Sequence, residues 1–154
     1  MSPISSEADL QKYIQYNGLT ILNRTYTEIL KLFPVYAETQ GVSGIVDFVA
    51  VKDETFYVIE TKFAMGVHSD IGQLMAYIND FQCYRDKVVI GILIAKTFHK
   101  SAFYAMFSMR NRILLAEWQQ QGNDVFFFDA TQQGKIYFMA MENAELSLRN
   151  DLRR

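Results

Sequence analysis

The spacing of apolar residues changes period several times along the chain, and each change predicts an element. Residues 5–16 place Leu10, Tyr13 and Ile14 on one stripe, with Glu7 and Asp9 in a first turn. This predicts a helix capped by Ser5 or Ser6 and ended by Asn17-Gly18. Leu19 to Phe33 predicts a second helix, with Tyr26, Ile29, Leu30 and Phe33 on one face and Pro34 as its stop, although Leu19 to Leu22 could equally be extended. Val35 to Thr39 predicts a strand and Gln40 to Ser43 a turn around Gly41. From Gly44 the pattern becomes two apolar strands, a short loop and an amphipathic helix over about residues 70–84. That helix is capped by Ser69 or Asp70 and carries Ile71, Leu74, Ile78 and Phe81 as its core stripe. Val88 to Ala95 is apolar on both faces, as a central strand under helices would be. His99 to Trp118 predicts a long helix ended by Gln119 to Gly122, Asp124 to Phe128 a strand, Thr131 to Gly134 a turn and Ile136 to Met141 a last strand. The polar tail from Glu142 predicts a short terminal helix or partial disorder.

Within this pattern three charged residues break apolar strands: Asp47 in the first strand after Gly44, and Glu60 and Lys62 near the end of the second. Charged groups buried there are costly unless something pairs with them. Lys52-Asp53-Glu54-Thr55 is the polar run between Val51 and Phe56, so the hairpin closes there. A symmetric closure sets Asp47 directly opposite Glu60, where Cβ atoms lie about 4.5–5.5 Å apart and like charges repel. Side chains alternate along a strand, so Lys62 shares the face of Glu60 and lies diagonally from Asp47. Two carboxylates and an ammonium on one patch suit a divalent cation, which prefers oxygen ligands. The plainer reading is an ion-pair cluster at the end of a sheet.

On the helix that follows, Gln73 and Tyr77 are four residues apart on the row flanking the core stripe, so they stack on one face. The order Asp47, then Glu60-Thr61-Lys62, then Gln73-Leu74-Met75-Ala76-Tyr77 resembles the PD-(D/E)xK nuclease superfamily. Its spacing is most similar to NucS and RecB-type nuclease domains, and the resemblance covers roughly residues 7–95. One departure is that Gly-Ile-Val precedes Asp47, so the proline of the superfamily name is missing.

The resemblance implies an α/β protein with a restriction-endonuclease-like core, a central mixed β-sheet flanked by α-helices, with residues 1–154 as a single nuclease-like domain. It implies metal-dependent hydrolysis of phosphodiester bonds, in DNA ahead of RNA, with RNA left open by the chemistry alone, serving repair, restriction or mobile-element defence. Asp47 and Glu60 would hold Mg²⁺ or Mn²⁺, helped by the main-chain carbonyl of Thr61, and Lys62 would orient the attacking water. Gln73 and Tyr77 would support the site; amphipathic surface and capping roles fit them as well. Glu7 matches the Glu-x-x-Leu…Asn opening of NucS-like domains and would complete the metal site, with Glu28 and Glu38 as rivals. Glu7 equally suits a first helical turn beside the dipole. The competing class is a catalytically inactive binding or structural subunit of the same fold.

Composition narrows the partners. Half of the 154 residues are apolar, ample for a packed core. A net charge of −2 excludes a protein that coats nucleic acid nonspecifically, so any contact with it is a local patch. Lys100, Arg110 and Arg112 could form a basic rim; an ordinary solvated face fits them too. The lone Cys83 excludes an internal disulfide, has no partner for zinc and suits a reducing cytoplasm. The opening MSPISSEADL lacks a secretory pattern, and no apolar run reaches the roughly 20 residues of a membrane helix. His68 lies within reach of a phosphate but reads more simply as a solvated loop residue, and His99 begins a helix. The aromatic runs VFFF and IYFMAM, with Met106 and Met109, predict core or a homodimer interface.

Overall fold

The computed structural model describes residues 3–21, 24–26, 29–37, 41–85, 88–108 and 112–152. Helix α1 (Glu7–Asn17) starts after Ser6, whose hydroxyl accepts from the Asp9 N–H at 3.1 Å, and ends at Gly18 with φ +77°. Next come the paired short strands β1 (Leu19–Ile21) and β2 (Arg24–Tyr26), then β3 (Ile29–Ala37). The helix expected over Leu19 to Phe33 is therefore three strands. Short apolar runs satisfy either period; the decision is made by β3 pairing antiparallel with β4 (Gly41–Lys52), from Ile29↔Ala50 to Ala37↔Gly41. Pro34 lies inside β3 instead of stopping a helix, and an edge strand tolerates it. Of the expected turn, Gly41 to Ser43 open β4, while Gln40 lies outside the described residues.

Strand β5 (Thr55–Thr61) closes the hairpin in the expected symmetric register, from Lys52↔Thr55 to Phe48↔Ile59. Asp53 and Glu54 make the two-residue turn with φ +51° and +63°, the doubly left-handed pattern that matches strand twist. After the two-residue strand β6 (Met65–Gly66) comes α2 (His68–Arg85), which starts earlier than expected. Asp70 is its third residue rather than its cap, and its carboxylate reaches back to the Val67 N–H at 2.9 Å. Strand β7 (Val89–Ala95), the short β8 (Thr97–Phe98) and helix α3 (Lys100–Ser108) follow.

The C-terminal part departs most from expectation. The long helix expected over His99 to Trp118 is α3 followed by β9 (Ile113–Gln121), because Ile113 to Ala116 lie parallel along β7 in the sheet interior. Residues 109–111 lie outside the described set. Strand β10 (Asp124–Asp129) returns antiparallel through Gly122-Asn123, with Gly122 at φ +62°. The expected turn and last strand over Thr131 to Met141 are the first half of α4 (Thr131–Leu152). Its aromatic start favours a strand locally, but the sheet already ends at β10 and the helix-forming residues after Met141 extend one continuous helix packed on α3 and β9.

The main sheet has the order β10-β9-β7-β5-β4-β3, with β5, β7 and β9 parallel and the outer pairs antiparallel. On one face, Leu10 and Ile14 of α1 pack with Phe48, Tyr57, Ile59 and Ile92. On the other, Ile71, Leu74, Ile78 and Phe81 of α2 and Ala102 and Met106 of α3 pack with Val49, Val58 and Leu93. Gly91 of β7 lets α2 close on the sheet: a Cβ there would stand 2.6 Å from Ile78 Cδ1. No helix among the described residues is long and apolar enough to cross a membrane.

Candidate active site

The ladder between β4 and β5 stops at Phe48↔Ile59, and beyond it side chains take over from the backbone. The Asp47 N–H donates to Glu60 Oε1 at 3.2 Å, while Asp47 Oδ2 accepts from both the N–H and the hydroxyl of Thr61, each at 2.8 Å. Strand alternation sends Glu60 with Val58 toward the α2 face and Thr61 with Ile59 toward α1. The two acids thus meet at the open end of the hairpin, between the helical layers. Glu60 is 8 % exposed and Thr61 is fully buried, while Asp47 is half-buried.

Burial, then the adjacent Asp47 charge, pushes the Glu60 carboxyl up to about 8, and a hydrogen bond between the two side chains adds to the rise. The Asp47 N–H and the Lys62 charge pull the other way and are outweighed. Near neutral pH Glu60 therefore keeps its proton. The positive charge this proton supplies is what a hard divalent cation would supply instead, and two carboxylates with water and phosphate oxygens form a donor set that Mg²⁺ accepts.

Among the described residues, no three His, Cys, Asp or Glu side chains converge as a metal-ligand cluster. Glu7, on the first turn of α1, is thus not gathered with Asp47 and Glu60 into such a set. Its charge acts on Lys62. Glu28 and Glu38 lie outside the described residues.

Lys62 immediately follows β5, and its N–H donates to the Ile94 carbonyl at 2.7 Å. Its ammonium, 31 % exposed, lies 3.6 Å from Asp70 Oδ1. Partial desolvation works against the charge, but the Asp70, Glu7 and Glu60 carboxylates together hold the Lys62 pKa above its ordinary value. Asp70 therefore has two tasks: one oxygen caps α2 through Val67, and the other tethers Lys62. The Gln73 amide donates to the Tyr77 hydroxyl at 2.9 Å, with Tyr77 buried and Gln73 exposed.

The remaining candidates fall elsewhere. His68 and His99 both approach the Ser101 hydroxyl, at 3.3 and 3.0 Å, and both are exposed. Lys100 begins α3, whereas Arg112 precedes β9 and donates to Asn79 Oδ1 at 3.3 Å, so the two do not share the expected helix face. Arg110 and Met109 lie outside the described residues. Two contributors had no sequence signal of their own. Asp70 was legible only as a capping acid, and nothing in the sequence marked Gln11, whose amide donates to the Thr61 hydroxyl at 3.1 Å.

No protein-family model matches the chain, and no curated protein matches it significantly. Two solved structures resemble it. The crystal structure of a repair endonuclease from Pyrococcus abyssi superposes with a TM-score of 0.55 at 21 % identity, covering 76 % of this chain and 48 % of the other. The structure of an EndoMS–dsDNA complex gives a TM-score of 0.54 at 20 % identity, covering 79 % and 48 %. The chain thus spans about half the length of each of these proteins. Likeness at this level of identity speaks to architecture, and it agrees with the mixed sheet flanked by helices. The chain has the restriction-endonuclease-like fold that it shares with these two structures.

Proposed function

We propose that this chain is a metal-dependent nuclease domain that hydrolyses phosphodiester bonds, with DNA as its substrate. The observation that carries the reading is the contact between half-buried Asp47 and buried Glu60 just past the β4–β5 ladder, where Glu60 retains a proton in the place a cation would relieve the repulsion. The repair-endonuclease fold and the DNA-bound state of one neighbour support it.

In this reading Asp47 and Glu60 hold the metal, and the Thr61 carbonyl is the third protein oxygen. Bound Mg²⁺ or Mn²⁺ supplies Lewis-acid stabilisation of the phosphoryl oxygens and lowers the pKa of a coordinated water. Lys62, kept protonated and tethered by Asp70, would orient the attacking water beside the phosphate. Gln73 and Tyr77 form a hydrogen-bonded wall on α2 that positions the sugar-phosphate backbone. Glu7 tunes Lys62 through its charge. To hold a cation, Glu60 would have to give up the proton it keeps without one.

The test is incubation of the purified chain with labelled single- and double-stranded DNA and RNA, with Mg²⁺, Mn²⁺ or a chelator. Metal-dependent cleavage of DNA, lost in Asp47→Asn, Glu60→Gln and Lys62→Ala while circular dichroism stays unchanged, is the expected result. Undiminished cleavage in all three variants sinks the assignment. Metal uptake without cleavage of any substrate favours a binding subunit that needs a partner.

A further inference from the structure

The geometry points to Gln11 as a positioning residue for the Asp47 carboxylate, acting through the Thr61 hydroxyl. This deepens the nuclease reading and rests on its assignment of Asp47 as a metal-holding group.

Three hydrogen bonds carry it. Thr61 donates both its N–H and its hydroxyl to one oxygen, Asp47 Oδ2, at 2.8 Å each. Gln11 Nε2 then donates to the same Thr61 hydroxyl oxygen at 3.1 Å, from α1, fifty residues away in sequence. A hydroxyl has one proton to give, and an ionised carboxylate can only accept. With Thr61 fully buried, the direction of that proton matters, because an unmet buried polar group is costly. By donating from the far side, the Gln11 amide leaves Asp47 as the receiver of the Thr61 proton. An amide turned the other way would set two acceptors against one proton, leaving one of them unmet.

Asp47 Oδ2 is therefore anchored from two directions, by a backbone N–H that cannot rotate and a hydroxyl whose rotation Gln11 restrains. The carboxylate is held in one orientation opposite Glu60. A helix on one face of the sheet thereby fixes a side chain at its open end, although Gln11 itself contacts neither acid in this chain of bonds. Partners of this kind, one bond removed from a ligand, commonly change metal affinity by about 10- to 100-fold.

The test is calorimetric titration of the purified full chain with Mn²⁺, without nucleic acid, for wild type, Gln11→Ala, Thr61→Val and the double variant. Gln11→Ala is expected to bind Mn²⁺ about 10-fold more weakly. Thr61→Val is expected to lose at least as much, and the double variant no more than Thr61→Val alone, because Gln11 has no other route to Asp47. If Thr61→Val fails to fold, Thr61→Ala with and without Gln11→Ala carries the same comparison, since alanine also lacks the hydroxyl. Wild-type affinity in Gln11→Ala, even with a lowered melting temperature, overturns the inference by making Gln11 merely structural. Additive losses in the double variant overturn it too, and so does wild type that takes up no Mn²⁺. Wild type that shows these shifts yet cleaves no nucleic acid leaves the inference standing and removes the nuclease reading.

Discussion

Two acidic pairs stand at the two ends of the β4–β5 hairpin. At the closed end Asp53 and Glu54 form the turn, exposed to water, while the strands beside them exchange ordinary ladder bonds. At the open end Glu60 is buried and Asp47 half-buried, and their carboxylates replace the ladder by accepting backbone N–H groups. Water screens the first pair, so proximity there has little chemical consequence. Burial, with the Asp47 charge second, pushes the Glu60 carboxyl up to about 8. The same residue types thus make a turn at one end and a water-poor acidic contact at the other, and the difference lies in dielectric and in what the backbone needs.

The sharpest way to break this contrast is to neutralise one acid at each end. Asp47→Asn is expected to lower metal-dependent DNA cleavage by at least about 10³-fold, because stabilisation worth several kcal/mol leaves with the metal. Asp53→Asn is expected to stay within about twofold of wild type, as an exposed group remote from the chemistry. Equal losses at both ends, read as initial rates, would erase the distinction.

A pH series tests the burial argument directly. The Glu60 carboxyl sits at about 8 in the folded chain against 4.5 for the free group, so the folded state alone keeps the proton between those values. Metal-free stability therefore falls as pH rises from about 4.5 to about 8, and the loss is complete above that. Glu60→Gln removes this slope and is expected to make the metal-free protein more stable than wild type at pH 9, by on the order of 2 kcal/mol, while abolishing cleavage. Urea unfolding of both proteins at pH 5 and pH 9 decides it; parallel pH dependences would contradict the raised carboxyl.

Removing the tether of Lys62 has a smaller effect. Asp70→Ala takes away both the back-bond to Val67 and the lysine's carboxylate, and is expected to cost about 1 kcal/mol of stability. Cleavage should fall about 10-fold through misplacement of Lys62. Normal cleavage with lowered stability would leave Asp70 a helix cap only. The least effect belongs to the closed end: Glu54→Gly relieves a left-handed conformation at φ +63° and is expected to raise stability by roughly 0.5–1 kcal/mol with cleavage unchanged. A loss of stability would mean that the Glu54 side chain, not its backbone, matters to the turn.

Much of the site was legible before the fold was known. The polar run at Lys52 to Thr55 set the register, and alternation then placed Asp47 against Glu60. The core stripe Ile71, Leu74, Ile78 and Phe81 follows from helical period alone and is buried throughout. Lys62 was legible as a neighbour of the acids, but its salt bridge to Asp70 was not, because that bridge depends on how α2 starts relative to the end of β5. Gln11 was hidden for the same reason: its partner is on another element.

Sequence by itself determined the features whose causes are local. The closing turn, the period of α1 and α2, and the interruption of apolar strands by Asp47 and Glu60 each depend on residues within a few positions of one another. Tertiary structure decided the features whose short apolar runs fit two periods equally well. Ile29 to Phe33 and Ile113 to Trp118 became strands because β4 and β7 offered them unpaired edges. Thr131 to Met141 became helix because it packs on α3 and β9 beyond a sheet already closed by β10. Backbone hydrogen bonds must be made somewhere, and where local preference is balanced the available partner decides.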